Sequence, residues 1–194
     1  GAIAAAKIDP IVVHVDAGLR SNNREMPEEI NRVLTDHASD ILFPPSKSAA
    51  NTLKEEGISD GIYVVGDVMY DAILWARDIA NEESNILDRF SVEPGEFVLS
   101  TVHRAANTDN QSRLQSIVGA LSNAPFPVVL PVHPRTKNRL KEYGLWDQAT
   151  SEIQIVDPVG YLDFVRLLDA SERVATDSGG VQKEAFYLDT PCVT

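Results

Sequence analysis

The stretch that decides the fold begins at residue 97, where FVLST at 97–101, VVLP at 128–131 and RVAT at 173–176 alternate with segments of helical period. Short β-rich runs that alternate with amphipathic helices are typical of a parallel sheet covered by helices. We predict strands at 97–101, 128–131, 153–156, 173–176 and 191–194, and helices at 110–122, 136–143, 160–170 and 180–188. The second half is therefore predicted to be an α/β domain with a parallel sheet.

The first half follows the same alternation with fewer strands. We predict helices at 2–7, from Pro27 with an apolar stripe running to Ile41, from the capping residue Ser46 to Gly57, and at 68–80, with strands at 11–14 and 62–65. The polar residues of 81–96 form the best linker candidate. The sequence thus predicts two α/β domains, at 1–85 and 97–194, joined by a linker at 86–96.

Composition excludes several classes of protein. The chain has 194 residues, 43% of them apolar, and no run near the roughly 18 apolar residues of a membrane-spanning helix, so we expect a soluble, cytoplasmic protein without a membrane partner. A net charge of −12 argues against a nucleic-acid partner, because binding a polyanion needs clustered cations. With one cysteine, Cys192, and four scattered histidines, we expect no metal and no cofactor.

A candidate phosphate site follows the strand at 173–176. In DSGG at 177–180, the glycines let a ligand approach the backbone where a predicted helix begins, and the N–H groups and dipole at that end favour an anion. Glu184 lies one helical turn further on, where its carboxylate could accept hydrogen bonds from the hydroxyls of a ribose. The alternatives are an ordinary strand-to-helix turn capped by Asp177, and a solvated helix face for Glu184.

Charged side chains follow three further strands. His103 and Arg104 come directly after 97–101, and His133 follows 128–131, at strand ends where open α/β sheets bind ligands. An imidazole beside a guanidinium suits general acid work and the stabilisation of phosphate charge, although such pairs also occur in ordinary polar loops. In the first half, Asp16 follows a strand. Glu28 lies in the first turn of a helix, where the dipole alone favours an acid.

Several motifs occur together, in order, along the whole chain. They are HVDAGLRS at 14–21, PEEINR at 27–32, GD at 66–67, HRAAN at 103–107, PVHPRT at 131–136, YLDFVRLL at 161–168 and DSGGVQKEA at 177–185. In order and spacing they resemble the non-hydrolysing UDP-N-acetylglucosamine 2-epimerases. That family has two Rossmann-like domains, as in B-type glycosyltransferases, and about twice this length. The resemblance implies an internal fragment, with the first domain truncated at its N-terminus and the second at its C-terminus, which we expect to be inactive alone.

The resemblance also implies a reaction and roles for individual residues. Family members interconvert UDP-GlcNAc and UDP-ManNAc by eliminating UDP to a 2-acetamidoglucal and adding it back. By motif position, Asp16, Glu28 and His103 would be catalytic, and Ser178, Gly179, Gly180 and Glu184 would bind UDP. Arg104 and His133 match contacts to a second, activating substrate molecule.

Three positions depart from the family pattern, and other activities remain open. Asp16 stands where the family has glutamate, Ala106 where an acid is common in HR-x-EN, and Lys183 where an acid is usual. The resemblance further implies a homodimer and a role in supplying polysaccharide precursors. The alternatives are a non-catalytic UDP-sugar-binding homologue, a hydrolysing 2-epimerase and a B-type glycosyltransferase.

Overall fold

The computed structural model describes residues 1–194, which divide into two compact units, Gly1–Met69 and Tyr70–Thr194. Both units are α/β with parallel strands, which confirms the predicted fold class. None of the helices combines the length and apolar character that crossing a bilayer requires.

The first unit is built on two parallel strands. Its elements are α1 (Ala2–Ala5), β1 (Val13–Val15), α2 (Pro27–His37), β2 (Ile41–Phe43) and α3 (Lys47–Glu55). β1 pairs with β2, with Val13 opposite Ile41. Ile41 was predicted to end the stripe of the preceding helix, and that was wrong: α2 stops at His37 and Ile41 opens a strand. The predicted strand at 62–65 is reduced to a single bridge between Leu42 and Ile62.

The core of the first unit is small. Ala17, Leu42 and Leu53 are fully buried and pack together between the two strands and α3. In contrast, Ile30 and Leu34 of the predicted apolar stripe on α2 are nearly half exposed. The residues that α2 buries are two carboxylates, which hold the chain segment following β1.

The second unit has a five-stranded sheet of order β5-β4-β3-β6-β7, with every neighbouring pair parallel. Its strands lie within two residues of the predicted limits. The elements are α4 (Val68–Glu83, beginning at the boundary), α5 (Ile86–Phe90), β3 (Val98–Thr101), α6 (Ala105–Thr108), α7 (Gln111–Ser122), β4 (Val128–Pro131), α8 (Pro134–Glu142), α9 (Trp146–Glu152), β5 (Gln154–Val156), α10 (Tyr161–Ala170), β6 (Arg173–Thr176), α11 (Gly179–Tyr187) and β7 (Cys192–Val193).

The boundary between the units differs from the expected linker at 86–96. From Tyr70 onward, α4 belongs to the second unit, where its Ile73, Ala76 and Ala80 are buried in a cluster with Val165 of α10. Ile86 is also fully buried, in a cluster with Phe97. The polar residues of this stretch flank the short helix α5, whose Leu87 and Phe90 also pack against this cluster.

The chain order of the strands reverses at β3. From β3 the chain adds β4 and then β5 on one side, and it returns to place β6 and β7 on the other. Ligands of open α/β sheets bind beyond the carboxyl ends of the strands at such a reversal. The fold therefore directs attention to the segments that follow β3 and β6.

Candidate functional site

A cavity of about 430 Å³ lies at this edge of the second unit. Its lining includes His103 after β3, His133 after β4, Ser178 after β6, and the rings of Tyr161 and Phe164 on α10. The ring centroids of His103 and His133 are 6.3 Å apart. Three of the predicted site residues thus meet at one cavity, where apolar walls and a few polar groups form the usual composition of a small-molecule site.

Asp177 ties the two central loops together. Its carboxylate accepts hydrogen bonds from the backbone N–H groups of His103 (3.1 Å) and Arg104 (2.9 Å) and from the side-chain amide of Asn107 (3.0 Å). The same carboxylate lies 3.1 Å from Nδ1 of His103, and its side chain is only 10% exposed. Asp177 was considered as the cap of the helix that follows it, but in the structure it holds the segment after β3.

The predicted phosphate cradle begins α11. Ser178 is its N-terminal cap, and the Ser178 hydroxyl accepts a hydrogen bond from the N–H of Val181 at 3.4 Å. A methyl group added at Gly179 would have only one near neighbour, the Arg104 guanidinium at 3.7 Å, so this glycine is not demanded by packing. The result is an open helix start flanked by a cation, an arrangement that favours a bound anion.

Glu184 is not on a solvated face. It is half-buried on α11, and its Oε1 accepts a hydrogen bond from the Tyr161 hydroxyl at 3.1 Å. Burial raises the pKa of the Glu184 carboxyl, and the bond from Tyr161 partly offsets that rise. Burial and the neighbouring carboxylate together raise the pKa of Tyr161 to about 12. Tyr161 was quoted in a motif, but no role was assigned to it from the sequence.

The two remaining predicted catalytic residues, Asp16 and Glu28, lie in the first unit, and the residues lining the cavity all come from the second. Asp16 directly follows β1 with φ at +63°, a left-handed conformation that Asp and Asn adopt more readily than most residues. A carboxylate at this position could also order the turn at Gly18 by hydrogen-bonding its backbone. The N–H of Gly18 instead donates to Asp36, at 3.2 Å.

Two buried carboxylates that sequence reasoning missed organise the first unit. Asp36 contacts Nδ1 of His14 at 2.6 Å and the Arg20 guanidinium at 2.7 Å. Glu29 accepts hydrogen bonds from the N–H groups of Ser21 and Asn22, and the bond from Ser21 is the largest cause that lowers the pKa of Glu29. The available signal was their spacing of seven residues, which places both on one helical face.

Arg20 is the cation of this network. Its guanidinium also forms a two-point contact with Glu56, at 2.8 and 2.6 Å. The bond to Glu56 is the largest cause of a pKa for Arg20 well above its usual value, and the same bond lowers the pKa of Glu56. The segment that contains HVDAGLR is therefore fixed by contacts with side chains that lie further along the chain.

Comparison with known proteins identifies the family. The model of the family described as UDP-N-acetylglucosamine 2-epimerase matches residues 1–194. The chain belongs to this family. A UDP-N-acetylglucosamine 2-epimerase of Methanocaldococcus jannaschii is 46% identical over 203 residues, covering 100% of this chain and 56% of the relative. A UDP-2,3-diacetamido-2,3-dideoxy-D-glucuronate 2-epimerase of Pseudomonas aeruginosa is 48% identical over 200 residues, covering 100% of this chain and 54% of the relative.

A solved structure agrees with the family assignment. The crystal structure of the M. jannaschii epimerase in complex with UDP-GlcNAc and UDP has a TM-score of 0.84 and 47% identity, and the match covers 99% of this chain and 55% of that one. The chain thus spans about half the length of the relatives it matches, and the resemblance read from the motifs is confirmed.

Proposed function

We propose that the whole protein is a UDP-N-acetylglucosamine 2-epimerase that interconverts UDP-GlcNAc and UDP-ManNAc. The observation that carries this proposal is the convergence of His103, Ser178 and an open helix start at one cavity, at the strand reversal of a chain that belongs to this family. Solved structures of relatives, one in complex with UDP-GlcNAc and UDP and one bound to UDP-GlcNAc, support the same ligand class.

UDP is proposed to bind across the start of α11. The diphosphate would receive hydrogen bonds from Ser178, Gly179 and Gly180, with the positive end of the helix dipole behind them. Arg104, whose guanidinium lies beside Gly179, supports this placement with a second source of positive charge. Glu184 would accept hydrogen bonds from the ribose hydroxyls, since Tyr161 already orients its carboxylate.

The reaction requires that a proton leave C2 of the sugar and that the bond between C1 and the diphosphate break. Anti elimination gives UDP and a 2-acetamidoglucal. UDP then adds back to C1 on the face that it left, and a proton returns to C2 on the opposite face, so that C2 alone is inverted. In the proposed roles, Asp16 and Glu28 exchange the C2 proton, and His103 assists the departing diphosphate. Arg104 and His133 are the proposed contacts to an activating second substrate molecule, and the whole protein is proposed to act as a homodimer.

The test is product analysis of the whole protein supplied with UDP-GlcNAc. Formation of UDP-ManNAc, with deuterium from heavy water incorporated at C2, is the expected result. Release of free ManNAc and UDP would instead identify a hydrolysing 2-epimerase. Sugar transfer to an added acceptor would identify a glycosyltransferase, and UDP binding without turnover a non-catalytic homologue.

A second candidate substrate is UDP-2,3-diacetamido-2,3-dideoxy-D-glucuronate. The 48% identity to the P. aeruginosa enzyme named for that substrate is as high as the identity to the archaeal UDP-GlcNAc epimerases. The two sugars differ at C3 and C6, so the inversion at C2 is the same. Comparing kcat/KM for the two nucleotide sugars in the same preparation decides between them.

A further inference from the structure

The two histidines at the cavity meet different partners at the same ring nitrogen. Nδ1 of His103 lies 3.1 Å from Oδ1 of Asp177, whose carboxylate can only accept hydrogen bonds. Nδ1 of His133 accepts a hydrogen bond from the backbone N–H of Arg135 at 3.2 Å, where His133 caps α8. Nδ1 of His103 therefore lies close to a carboxylate oxygen, whereas Nδ1 of His133 accepts from a backbone N–H.

These partners dictate opposite tautomers for the two neutral rings. A carboxylate oxygen beside Nδ1 favours a proton on that nitrogen, and a neutral imidazole then has a lone pair on Nε2. A donor N–H pointing at Nδ1 needs the lone pair there, which puts the proton on Nε2. His103 thus offers an acceptor at Nε2, and His133 offers a donor at the same ring position.

We propose that Asp177 is a positioning residue that fixes His103 as a proton acceptor at Nε2, while the Arg135 N–H fixes His133 as a hydrogen-bond donor, so that the cavity holds one acceptor and one donor of the same residue type. This inference rests on the proposed function for its chemical meaning. His103 Nε2 would take a proton from solvent, and the resulting imidazolium would donate it to an oxygen of the diphosphate as the bond to C1 breaks. His133 would donate to a ligand oxygen without transferring its proton.

Asp177 is suited to this role because its other partners prevent it from turning. Its oxygens already accept from the N–H groups of His103 and Arg104 and from the amide of Asn107, so three donors fix the carboxylate plane. In an Asp177→Asn variant, the single remaining oxygen would stay with those donors. The new NH₂ group would then face Nδ1 of His103 as a donor and would drive the ring proton to Nε2.

The direct test is nitrogen-15 NMR of histidine-labelled protein, in which a protonated ring nitrogen is distinguished from an unprotonated one by its chemical shift. In the wild type at a pH where both rings are neutral, we expect His103 to carry its proton on Nδ1 and His133 on Nε2. In Asp177→Asn, the His103 signals should exchange their identities while those of His133 stay unchanged. Asp78→Asn, an exposed carboxylate on α4, is the matched control and should change neither ring.

Two outcomes would overturn the inference: the same tautomer for both rings in the wild type, or an unchanged His103 tautomer in a folded Asp177→Asn variant. The wild-type measurement requires no variant, so a failure of Asp177→Asn to fold leaves the test intact. If the tautomers are opposite but the whole protein has no epimerase activity, the proposed function fails and the assignment of the rings stands.

Kinetics separate positioning of His103 from support of the neighbouring cradle. In the active whole protein, Asp177→Asn should lower kcat by about 10²–10⁴-fold, the usual contribution of a positioned acid–base group. The Kd for UDP should change by less than about threefold, because the substitution removes no backbone donor at Ser178–Gly180. A parallel loss of UDP affinity and kcat would contradict the positioning role.

Discussion

Each unit has a largely buried carboxylate next to the segment that follows its first strand, and the two carboxylates differ in their main partners. In the first unit, Asp36 binds Nδ1 of His14 and the Arg20 guanidinium. In the second, Asp177 is held mainly by the N–H groups of His103 and Arg104 and by the Asn107 amide. The first arrangement neutralises a buried charge with a cation, and the second satisfies it with backbone dipoles.

This difference decides which groups stay available for a ligand. Arg20 is tied on both sides, to Asp36 and to Glu56, and its side chain is 7% exposed. Arg104 is not needed by Asp177 as a cation, and its guanidinium lies beside Gly179 at the start of α11. The first unit therefore uses its charges to fix a loop, whereas the second keeps an imidazole facing a cavity and a cation beside the start of α11.

The largest expected effect tests whether the segment after β1, which the charges of the first unit hold in place, also contributes a catalytic residue. In the whole protein, Asp16→Asn should lower epimerase turnover by about 10²–10⁴-fold if Asp16 is a base. Asn accepts the left-handed backbone at this position as readily as Asp, so the variant should fold normally. Steady-state kinetics with unfolding curves as the control decide the point. A folded variant with near-normal turnover would show that Asp16 is not a base and that this segment of the first unit has a structural role.

The longer acid gives the complementary measurement at the same position. Asp16→Glu extends the carboxylate by one methylene, and a misplacement near 1 Å costs on the order of a hundredfold in rate. We therefore expect Asp16→Glu to raise turnover. An unchanged or lower kcat would show that the shorter side chain and the left-handed backbone form a matched arrangement.

The next effect compares the two buried carboxylates directly. Asp36→Ala should destabilise the protein by about 3–5 kcal/mol, because Arg20 loses its fully buried partner and keeps only Glu56, and because the N–H of Gly18 and Nδ1 of His14 lose their acceptor. Asp177→Ala removes an acceptor from neutral donors and should cost about 1–3 kcal/mol. Asp60→Ala, at an exposed position in the first unit, should change stability by less than about 0.5 kcal/mol. Denaturant unfolding measures all three free energies of unfolding. Equal losses for Asp36→Ala and Asp177→Ala would show that neutralisation by a cation and hydrogen bonding by neutral donors stabilise the two carboxylates alike.

A smaller effect tests the location of the nucleotide. Glu184→Ala should weaken UDP binding by about 1.5–3 kcal/mol, the scale of hydrogen bonds to a charged group. Glu142→Ala, an exposed acid on α8, serves as the control in titration calorimetry. If Asp16→Ala weakened UDP as strongly as Glu184→Ala, the nucleotide would have to involve the first unit.

The two units also differ in how far the sequence predicted them. The strands and helices of the second half were predictable because β3 and β4 are buried central strands, which leave continuous apolar runs such as VVLP at 128–131. In the first half, Ile41 continues the apolar period of α2, so the sequence could not separate the helix from β2. The short helix α5 was not predicted because its five residues, Ile86–Phe90, are too few to show a helical period and are flanked by polar residues.

The site was predictable as a set of residues but not as a set of contacts. His103, His133 and Ser178 each follow a strand. Because the strands are parallel, the topology alone brings these positions to one edge of the sheet, independently of the contacts that their side chains make. From the sequence, the Asp177 carboxylate could be interpreted as a helix cap, a role in which its partner would be a backbone N–H a few residues away. Its actual partners lie 70 to 74 residues away in the chain, and no local pattern encodes that choice.

The smallest expected effect separates binding from stability at Glu184. Burial raises the pKa of this carboxyl in the folded protein, so its contribution to stability is present below the unfolded pKa and is lost as pH rises through the folded value. Glu184→Gln cannot ionise, so it avoids the stability that the wild type loses when the carboxyl ionises, and it keeps an oxygen that can accept from the Tyr161 hydroxyl. The variant should therefore be more stable than the wild type at pH 7 by a few tenths of a kcal/mol, after allowance for solvent screening.

The pH dependence gives the sign of this effect independently of its size. The stability difference should shrink as pH falls through about 4, because below that pH the wild-type carboxyl becomes protonated in both the folded and the unfolded state. Thermal unfolding of both proteins between these pH values checks it, with UDP affinity measured alongside. A variant less stable than the wild type at pH 7 would mean that the Glu184 charge contributes to folding. Glu184 would then resemble the ion-paired carboxylates of the first unit, rather than a group held ready for a ligand.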